Sequence, residues 1–106
     1  MTVYVDDARI PATVGTLTAN WSHLFADTQA ELHEFAAGIG LQRAWFQPGT
    51  AYGDRPSPYW NYAVTDNKRR QAIRAGAQSV TAREAVRIIR RRAPQAAAAA
   101  GKDTTR

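Results

Sequence analysis

The residues that most constrain the fold stand at the start of the chain, where Thr2-Val3-Tyr4-Val5 is followed directly by Asp6 and Asp7. β-Branched and aromatic residues favour extended backbone, and the alternation of a strand places the two valines on one face and the tyrosine on the other. A strand this early in a small domain usually lies inside its sheet, because later segments can pair with it on both sides. In open parallel sheets, ligands bind beyond the carboxyl ends of the strands. Asp6 and Asp7 are therefore predicted to lie at a binding edge.

After position 20 the sequence predicts helices that alternate with strands, which is typical of an α/β layer. Asp27 or Thr28 caps the first helix, and Thr28 with Glu31 forms a capping box. The later predicted elements are a strand over residues 41–47, a helix over 66–75 capped by Thr65, a strand over 77–80, and a helix capped by Thr81 and Glu84 that ends or kinks at Pro94. The side chains predicted to face inward are Leu32, Phe35, Ala36, Ile39, Ala72, Ile73, Ala82, Ala85, Val86 and Ile89.

These elements predict an α/β fold with a small, open and mostly parallel sheet of three or more strands, three helices and a single domain over residues 1–92. The first strand is expected to lie between residues 41–47 and 77–80. Residues 8–20, which contain proline and glycine breaks, either add an edge hairpin or stay irregular. The alanine-rich tail over residues 93–106 is expected to be flexible.

A long loop over residues 48–63 separates the predicted second strand from the second helix. It holds three prolines and four large aromatic residues, namely Tyr52, Tyr59, Trp60 and Tyr62. Loops of this length in a small domain are usually functional or disordered, and disordered segments are poor in aromatic residues. The composition therefore favours a lid or binding loop.

Composition narrows the classes of protein. The 106 residues include no cysteine, so disulfides, a thiol nucleophile and a zinc–thiolate site are excluded. No apolar run approaches the roughly 20 residues that a membrane span needs. An acidic pair stands where a secretory leader would carry lysines, which predicts a cytoplasmic protein.

The net charge of +5 is unevenly distributed along the chain. Residues 1–47 carry five acidic and two basic residues, whereas residues 48–106 carry four acidic and twelve basic ones. This segregation indicates an anionic partner for the second half. The alternative is that arginine-rich helices simply present solvated outer faces.

Asp6 and Asp7 are the candidate metal ligands and, with His23, the candidate catalytic residues. Two carboxylates at a strand end could hold Mg²⁺, which accepts one or two carboxylates together with phosphate and water oxygens. In the alternative, Asp6 caps a turn or pairs with an arginine and Asp7 faces solvent. His23 could act as an acid or base near neutral pH, or it could hold the segment around Trp21 by a hydrogen bond. His33 is expected at a solvent-facing or rim position.

The candidate ligand-binding residues come from the second strand, the aromatic loop and the second helix. Lys68 and Arg69 lie in the first helical turn, where cations oppose the helix dipole but could bind phosphate together with free backbone amides. Their alternative role is a solvated run of charge, since Asp66 partly offsets them. The remaining candidates are Gln47 at the strand edge and the stacking residues Trp60 and Tyr62.

Stretches from nearly the whole domain resemble a single known family. They are Val3-Tyr4-Val5-Asp6-Asp7, Trp21-Ser22-His23-Leu24 with Ala26-Asp27, Glu31-Leu32-His33, Trp45-Phe46-Gln47, and Lys68-Arg69 to Gly76-Ala77. Together they resemble the family catalogued as domain of unknown function 4031, which the resemblance associates with bacteria and their phages. The resemblance implies no settled activity. It also implies a His-Tyr-Asp triplet where this chain has Asn61-Tyr62-Ala63, so chemistry that depends on that triplet would be lost here.

Three functions remain open on the sequence alone. The first is binding of a phosphorylated ligand, either a nucleotide or nucleic acid, at the carboxyl ends of the strands. The second is a Mg²⁺-dependent phosphoesterase or nuclease that uses Asp6 and Asp7 with assistance from His23. The third is a non-enzymatic adaptor that binds another protein through its aromatic loop.

Overall fold

The computed structural model describes residues 2–49 and 56–92. These residues form a single α/β domain in which six strands make one mixed sheet. The elements are β1 (Val3–Val5), β2 (Ile10–Val14), β3 (Leu17–Ala26), α1 (Gln29–Gly38), a short 3₁₀ helix (Arg43–Trp45), β4 (Phe46–Gln47), β5 (Asn61–Thr65), α2 (Asp66–Arg74), β6 (Gln78–Ser79) and α3 over residues 82–92.

The ten-residue strand β3 is the centre of the sheet. The first half of β3 pairs with β2, and its second half pairs with β1 along the same edge. β1 and β2 thus behave as one long strand that is interrupted at residues 6–9. A two-residue turn closes this hairpin, and Gly15 in the turn has a φ of 63°, a conformation that glycine adopts without a steric cost. The sequence did not decide whether residues 8–20 form a hairpin, and the structure shows that they belong to one.

The prediction of a mostly parallel sheet is wrong. The sheet order is β4-β5-β3-β1-β6 with β2 beside β3, and only the contact between β1 and β6 is parallel. β1 is internal, as expected, and β6 is one of its neighbours. Its other neighbour is β3 rather than residues 41–47, because the tight turn returns the chain directly alongside β1. Residues 41–47 instead form the 3₁₀ helix and the short edge strand β4.

The alternation of side chains along β3 places helices on both faces of the sheet. Leu24 and Ala26 face α1 and α2, and they belong to a core cluster that also contains Val5, Leu32, Ala36, Leu41, Tyr62, Val64, Ala72 and Ala77. Phe25 faces the opposite side and packs with Val80, Ala85 and Ile89 below α3. The domain is therefore a three-layer α/β structure with two helices on one face of the sheet and one on the other.

The predicted caps at Thr28 and Thr81 are confirmed, but the reciprocal bond of a full capping box is present only at Thr81, because Glu31 Oε1 accepts from the Thr28 hydroxyl at 2.9 Å rather than from its amide. Thr28 Oγ1 accepts a hydrogen bond from the Glu31 amide at 3.2 Å at the start of α1. At the start of α3, Thr81 Oγ1 accepts from the Glu84 amide at 3.1 Å, and Glu84 Oε1 accepts from the Thr81 amide at 2.9 Å. Thr65 caps α2 in the same way. Local hydrogen bonding therefore fixes all three helix starts.

The predicted buried faces of the helices are confirmed in part. Leu32, Ala36, Ala72, Ala85 and Ile89 are buried, and Phe35 and Ile39 are partly buried against the first cluster. The predictions for Ile73 and Val86 are wrong, because their residues are 37% and 39% exposed. α2 contacts the core through Ala72, which leaves Ile73 at the margin of the contact. Val86 lies beside a cavity below α3.

The predicted loop over residues 48–63 is shorter than expected, since Asn61 to Ala63 belong to β5. Its two described ends meet at Gly49 and Ser57. Gly49 has a φ of 80°, and a Cβ atom there would lie 2.5 Å from Ser57 Oγ, so this contact requires glycine. The predicted flexible tail over residues 93–106 lies outside the described residues. Among the residues that are described, no helix has the length and apolar character needed to cross a membrane.

Two isoleucines on different helices test these packing assignments. Ile89→Ala is expected to lower the free energy of unfolding by about 2–5 kcal/mol, because truncation of a buried side chain leaves a cavity. Ile73→Ala is expected to lower it by less than about 1 kcal/mol, because that side chain is already partly in solvent. Urea unfolding of both variants measures the difference. Equal losses would contradict the assignment of the two helix faces.

Candidate functional site at Asp6 and His23

Asp6 and His23 are joined where β1 ends and the chain departs from regular pairing with β3. Asp6 is 4% exposed, and its Oδ2 lies 2.8 Å from His23 Nδ1. Its Oδ1 accepts hydrogen bonds from the His23 amide at 2.8 Å and from the Ala8 amide at 3.2 Å. The Asp6 amide in turn donates to the His23 carbonyl at 3.0 Å. The carboxylate is thus held by three donors, and it fixes the orientation of the imidazole.

The two groups shift each other's ionisation in opposite directions. Burial alone would raise the pKa of Asp6, but the hydrogen bonds from the His23 ring and amide outweigh it, so the pKa lies below its ordinary value. The hydrogen bond to Asp6 raises the pKa of His23, and burial offsets part of this rise. Each partner therefore favours the charged form of the other. Because Nδ1 is used by Asp6, Nε2 is the nitrogen left for a ligand.

A cavity of about 310 Å³ opens above this pair, between the sheet and α3. Its walls are mostly apolar and include Ile10, Phe25, Val86 and Ile89. Four residues bring polar atoms to the lining, namely Asp6, His23, Tyr59 and Asn61. We call this space the dyad cavity.

Asn61 completes the polar part of the dyad cavity. Its Nδ2 donates to the Tyr59 carbonyl at 2.9 Å, whereas its buried Oδ1 has no hydrogen-bond partner among the described residues. A buried amide oxygen without a partner is costly. The oxygen has almost no accessible surface, so a ligand or water molecule would reach it only after a small shift of the side chain.

Arg69 and Asp7 hold the elements around the cavity together. Arg69 Nε donates to the Asp6 carbonyl at 2.8 Å, and its Nη2 donates to Ser79 Oγ at 3.0 Å, so this side chain joins the ends of β1 and β6. Asp7 Oδ1 accepts from the Ala82 amide at 2.9 Å at the start of α3. The carboxylates of Asp6 and Asp7 thus have different partners. No group of three or more histidine, aspartate and glutamate side chains in residues 2–49 and 56–92 is arranged to hold a metal ion.

Gln47 and Lys68 lie away from the dyad cavity. Both line a second cavity of about 660 Å³, together with residues of the hairpin and the 3₁₀ helix such as Leu17 and Trp45. Lys68 Nζ donates to the Ile39 carbonyl at 2.6 Å and to Gln71 Oε1 at 3.2 Å, so it secures the end of α1. The single pocket expected from the sequence is therefore divided between two places.

Tyr62 faces the opposite side of the sheet from His23. It is fully buried, and its hydroxyl lies 2.9 Å from Nδ1 of His33. His33 is half-buried against Tyr62 and Phe46 rather than solvent-facing. Burial raises the pKa of Tyr62, and Arg43 offsets part of this rise; burial lowers the pKa of His33, and Arg43 lowers it further. This group is part of the packing around α1.

Trp60 is covered by a cation. The guanidinium carbon of Arg92 lies 3.7 Å from the centroid of the Trp60 ring, and Arg92 also donates to the carbonyls of Ala26 and Pro58. Burial lowers the pKa of Arg92 to about 10. One face of the indole is therefore already stacked, and the contact fixes the segment that leads to Tyr59 and the dyad cavity.

The positions that differ from the expected His-Tyr-Asp triplet adjoin His23. Ala63 pairs directly with His23 across β3 and β5, and Asn61 lies two residues away on the same face of the sheet. Sequence reasoning did not identify Asn61 as a lining residue, nor the wall formed by Ile10, Phe25 and α3. The alternation of Trp21, His23 and Phe25 was the pattern that could have revealed this face.

The ionisation of His23 provides a test of the pair. Asp6→Asn keeps the shape of the side chain but removes its charge and replaces one acceptor oxygen by an NH2 donor, so the pKa of His23 is expected to fall. An NMR titration of the imidazole Hε1 resonances measures it, with His33 in the same spectra as an internal control that should not move. An unchanged His23 pKa would contradict the coupling.

The same pair predicts how stability depends on pH. His23 has a raised pKa, so its contribution is complete below the ordinary value of 6.5 and is lost as the pH rises through the folded-state pKa. Asp6 has a lowered pKa, so its contribution is complete above 3.8 and is lost as the pH falls through its folded-state pKa. The stability difference between the native chain and His23→Gln should therefore be largest between roughly pH 4 and 6.5. Thermal unfolding over this range measures it, and a difference independent of pH would contradict the assignment.

Comparisons with known proteins place the chain in a family but assign no activity. The family model described as "Protein of unknown function (DUF4031)" matches residues 3–92. This match spans the sheet, α1, α2 and all of α3 that the structure describes. No curated protein and no solved structure matches the chain. The chain belongs to the family of proteins of unknown function DUF4031.

Proposed function

We propose that the chain binds a small phosphorylated ligand in the dyad cavity, with the phosphate against His23. The observation that carries the proposal is the buried carboxylate of Asp6, which holds Nδ1 of the cavity-lining His23 and so leaves Nε2 as the nitrogen available to a ligand. A protonated imidazole in this position donates a charge-assisted hydrogen bond, which is stronger than one between neutral groups. The pKa of His23 is raised, which increases the protonated fraction near neutral pH.

The walls of the cavity define the rest of the ligand. They are mostly apolar, with Phe25 beside His23 on the sheet and Val86 and Ile89 on α3. Ligand pockets commonly combine such walls with a few polar groups that orient the ligand. Asn61 lines the same cavity, and a small shift of its side chain would bring Oδ1, which has no partner among the described residues, within reach of the ligand. An apolar or aromatic group that carries a phosphate satisfies these features.

The cations expected from the sequence have a different part in this proposal. Arg69 supports the site by holding the Asp6 carbonyl and Ser79. Lys68 is engaged at the end of α1. His23 therefore takes the role of phosphate contact that the sequence suggested for Lys68 and Arg69.

A second candidate function is hydrolysis of a phosphoester with His23 as the general acid or base. The observation that favours it is that the Asp6 carboxylate contacts the His23 imidazole, which in turn lines the cavity. A carboxylate orients the imidazole in the same way in known acid–base catalysts. The metal-dependent form of this reaction would use Asp6 and Asp7. Asp6 already accepts three hydrogen bonds, which favours the role of orienting His23 over that of coordinating Mg²⁺.

Phenyl phosphate is a suitable probe for the binding proposal, because it joins an aromatic ring to a phosphate. It is expected to shift the His23 imidazole resonances and to bind more tightly at pH 6 than at pH 8.5. Benzyl alcohol, which lacks the charge, should bind at least tenfold more weakly. His23→Gln should abolish the pH dependence, and the matched variant His33→Gln on the other face should retain it. Binding that is unaffected by His23→Gln would overturn the proposal.

Turnover of p-nitrophenyl phosphate separates binding from catalysis. If His23 is an acid–base catalyst, His23→Gln should reduce the rate on the order of 10²–10⁴-fold, with circular dichroism used to verify the fold. A rate that requires Mg²⁺ and is abolished by Asp6→Asn would favour the metal-dependent form. Binding without any turnover would leave the ligand-binding function and exclude the esterase for this substrate.

A further inference from the structure

Three arginines lie along one side of α3, next to the dyad cavity. Arg83, Arg87 and Arg90 are spaced at i, i+4 and i+7, so they share one helix face, and all three are exposed. We call them the arginine stripe. With a rise of 1.5 Å per residue, the stripe extends over roughly 10 Å of the helix.

The acidic side chains at the start of α3 accept backbone amides, and Glu84 also lies close enough to Arg87 for the guanidinium to contribute to the lowered pKa of Glu84. Glu84 accepts the Thr81 amide and Asp7 accepts the Ala82 amide, both at the start of α3. The ion pairs found within residues 2–49 and 56–92 are Arg9 with Asp66 and His23 with Asp6. Among the described residues, none of the three arginines of the stripe therefore forms an ion pair, and all three are exposed to solvent.

Val86 connects the stripe to the cavity. It lines the dyad cavity, is 39% exposed, and lies three residues after Arg83 and four before Arg90. Ile10, which is half exposed, lines the same cavity from the hairpin. The cavity thus meets solvent at apolar residues directly beside the arginines.

We propose that α3 and the dyad cavity together bind single-stranded nucleic acid, with one unstacked nucleotide in the cavity, its phosphate against His23, and the neighbouring phosphates on the arginine stripe. This inference rests on the proposed function of the dyad cavity and names its ligand class. Binding of single strands combines cations that follow the backbone with sites that accept bases. The base would lie among the accessible lining residues Ile10, Tyr59 and Val86, above the buried Phe25. A base in a duplex is stacked and paired, so duplex would have to open before it could enter.

Fluorescence anisotropy with a fluorescein-labelled oligothymidylate of twelve nucleotides measures the interaction as salt is varied. Each phosphate contact on a single strand contributes about −0.7 to the slope of log K against log salt. The double variant Arg83→Gln/Arg90→Gln is therefore expected to bind more weakly and to flatten the slope by about 1.4. Arg70→Gln/Arg74→Gln is the matched control, since it removes the same charge from exposed positions of α2 on the other face of the sheet. It should retain the slope of the native chain.

The base contact is tested separately from the backbone contact. An abasic oligonucleotide and a duplex of the same length are each expected to bind about tenfold more weakly, in line with the contribution of one stacked base. Val86→Phe places a larger side chain at the exposed entrance of the cavity. This variant should therefore bind the thymidylate no more tightly than the native chain binds the abasic strand. Its circular dichroism and urea midpoint verify that it folds.

The outcomes distinguish this inference from the function on which it rests. If both double variants flatten the slope equally, or if the abasic strand binds as tightly as the thymidylate, the nucleic acid inference is overturned. Phenyl phosphate that still shifts His23 in that case leaves the cavity as a site for small phosphorylated ligands. If phenyl phosphate fails to shift His23, the proposed function and the inference that rests on it are both overturned.

Discussion

The structure depends on the burial of one charged side chain, Asp6, at the point where the first strand leaves its partner. Its carboxylate accepts hydrogen bonds from the amides of Ala8 and His23 and contacts Nδ1 of the His23 ring. The backbone carbonyl of Asp6 accepts a hydrogen bond from Arg69. These contacts join the hairpin to α2, and Arg69 extends them to β6. A carboxylate in an apolar interior is stable only when it is paired and hydrogen-bonded. Asp6 therefore determines both the interruption between β1 and β2 and the position of the imidazole.

The two faces of the central strand have different roles. Leu24 and Ala26 are buried beneath α1 and α2, where the packing is continuous and includes Tyr62. On the other face, α3 covers Phe25 but leaves a cavity above His23. The exposed Val86 of α3 lines this cavity. One helix on a face that two helices would fill leaves a cavity at its side. The polar residues of the site lie on this less completely covered face.

Much of the local structure could be predicted from the sequence, whereas the sheet could not. The helix caps at Thr28, Thr65 and Thr81 depend on residues three positions apart, and they were predicted correctly. β3 was missed because its polar residues Ser22 and His23 resemble a loop that leads into a helix. Its partners are distant in sequence, and a turn of two residues fixed the antiparallel pairing. Without β3, the prediction paired residues 41–47 with β1 and therefore gave a mostly parallel sheet.

The same long-range pairing explains which site residues could be predicted. Asp6 and His23 were identified because a strand-end carboxylate and a histidine are chemically distinctive, but their contact depends on the register of the hairpin. Lys68 and Arg69 are neighbours in sequence, yet one side chain extends to α1 and the other to β1. Adjacent residues on a helix diverge by about 100°, so a run of charge does not form a single site.

Stability alone does not account for the pair of Asp6 and His23. Replacement of a buried ion pair by apolar residues of similar volume is often neutral or stabilising, and the walls around this pair are already apolar. The exposed pair of Arg9 and Asp66 connects the hairpin to α2 without a buried charge, so this connection does not require Asp6. Apolar residues could not replace His23 in one respect. Asp6 contacts its Nδ1 and favours its protonated form, and Nε2 is left for a ligand in the cavity that His23 lines. The placement of a costly charge beside an unfilled space is therefore best explained by the ligand that His23 would contact.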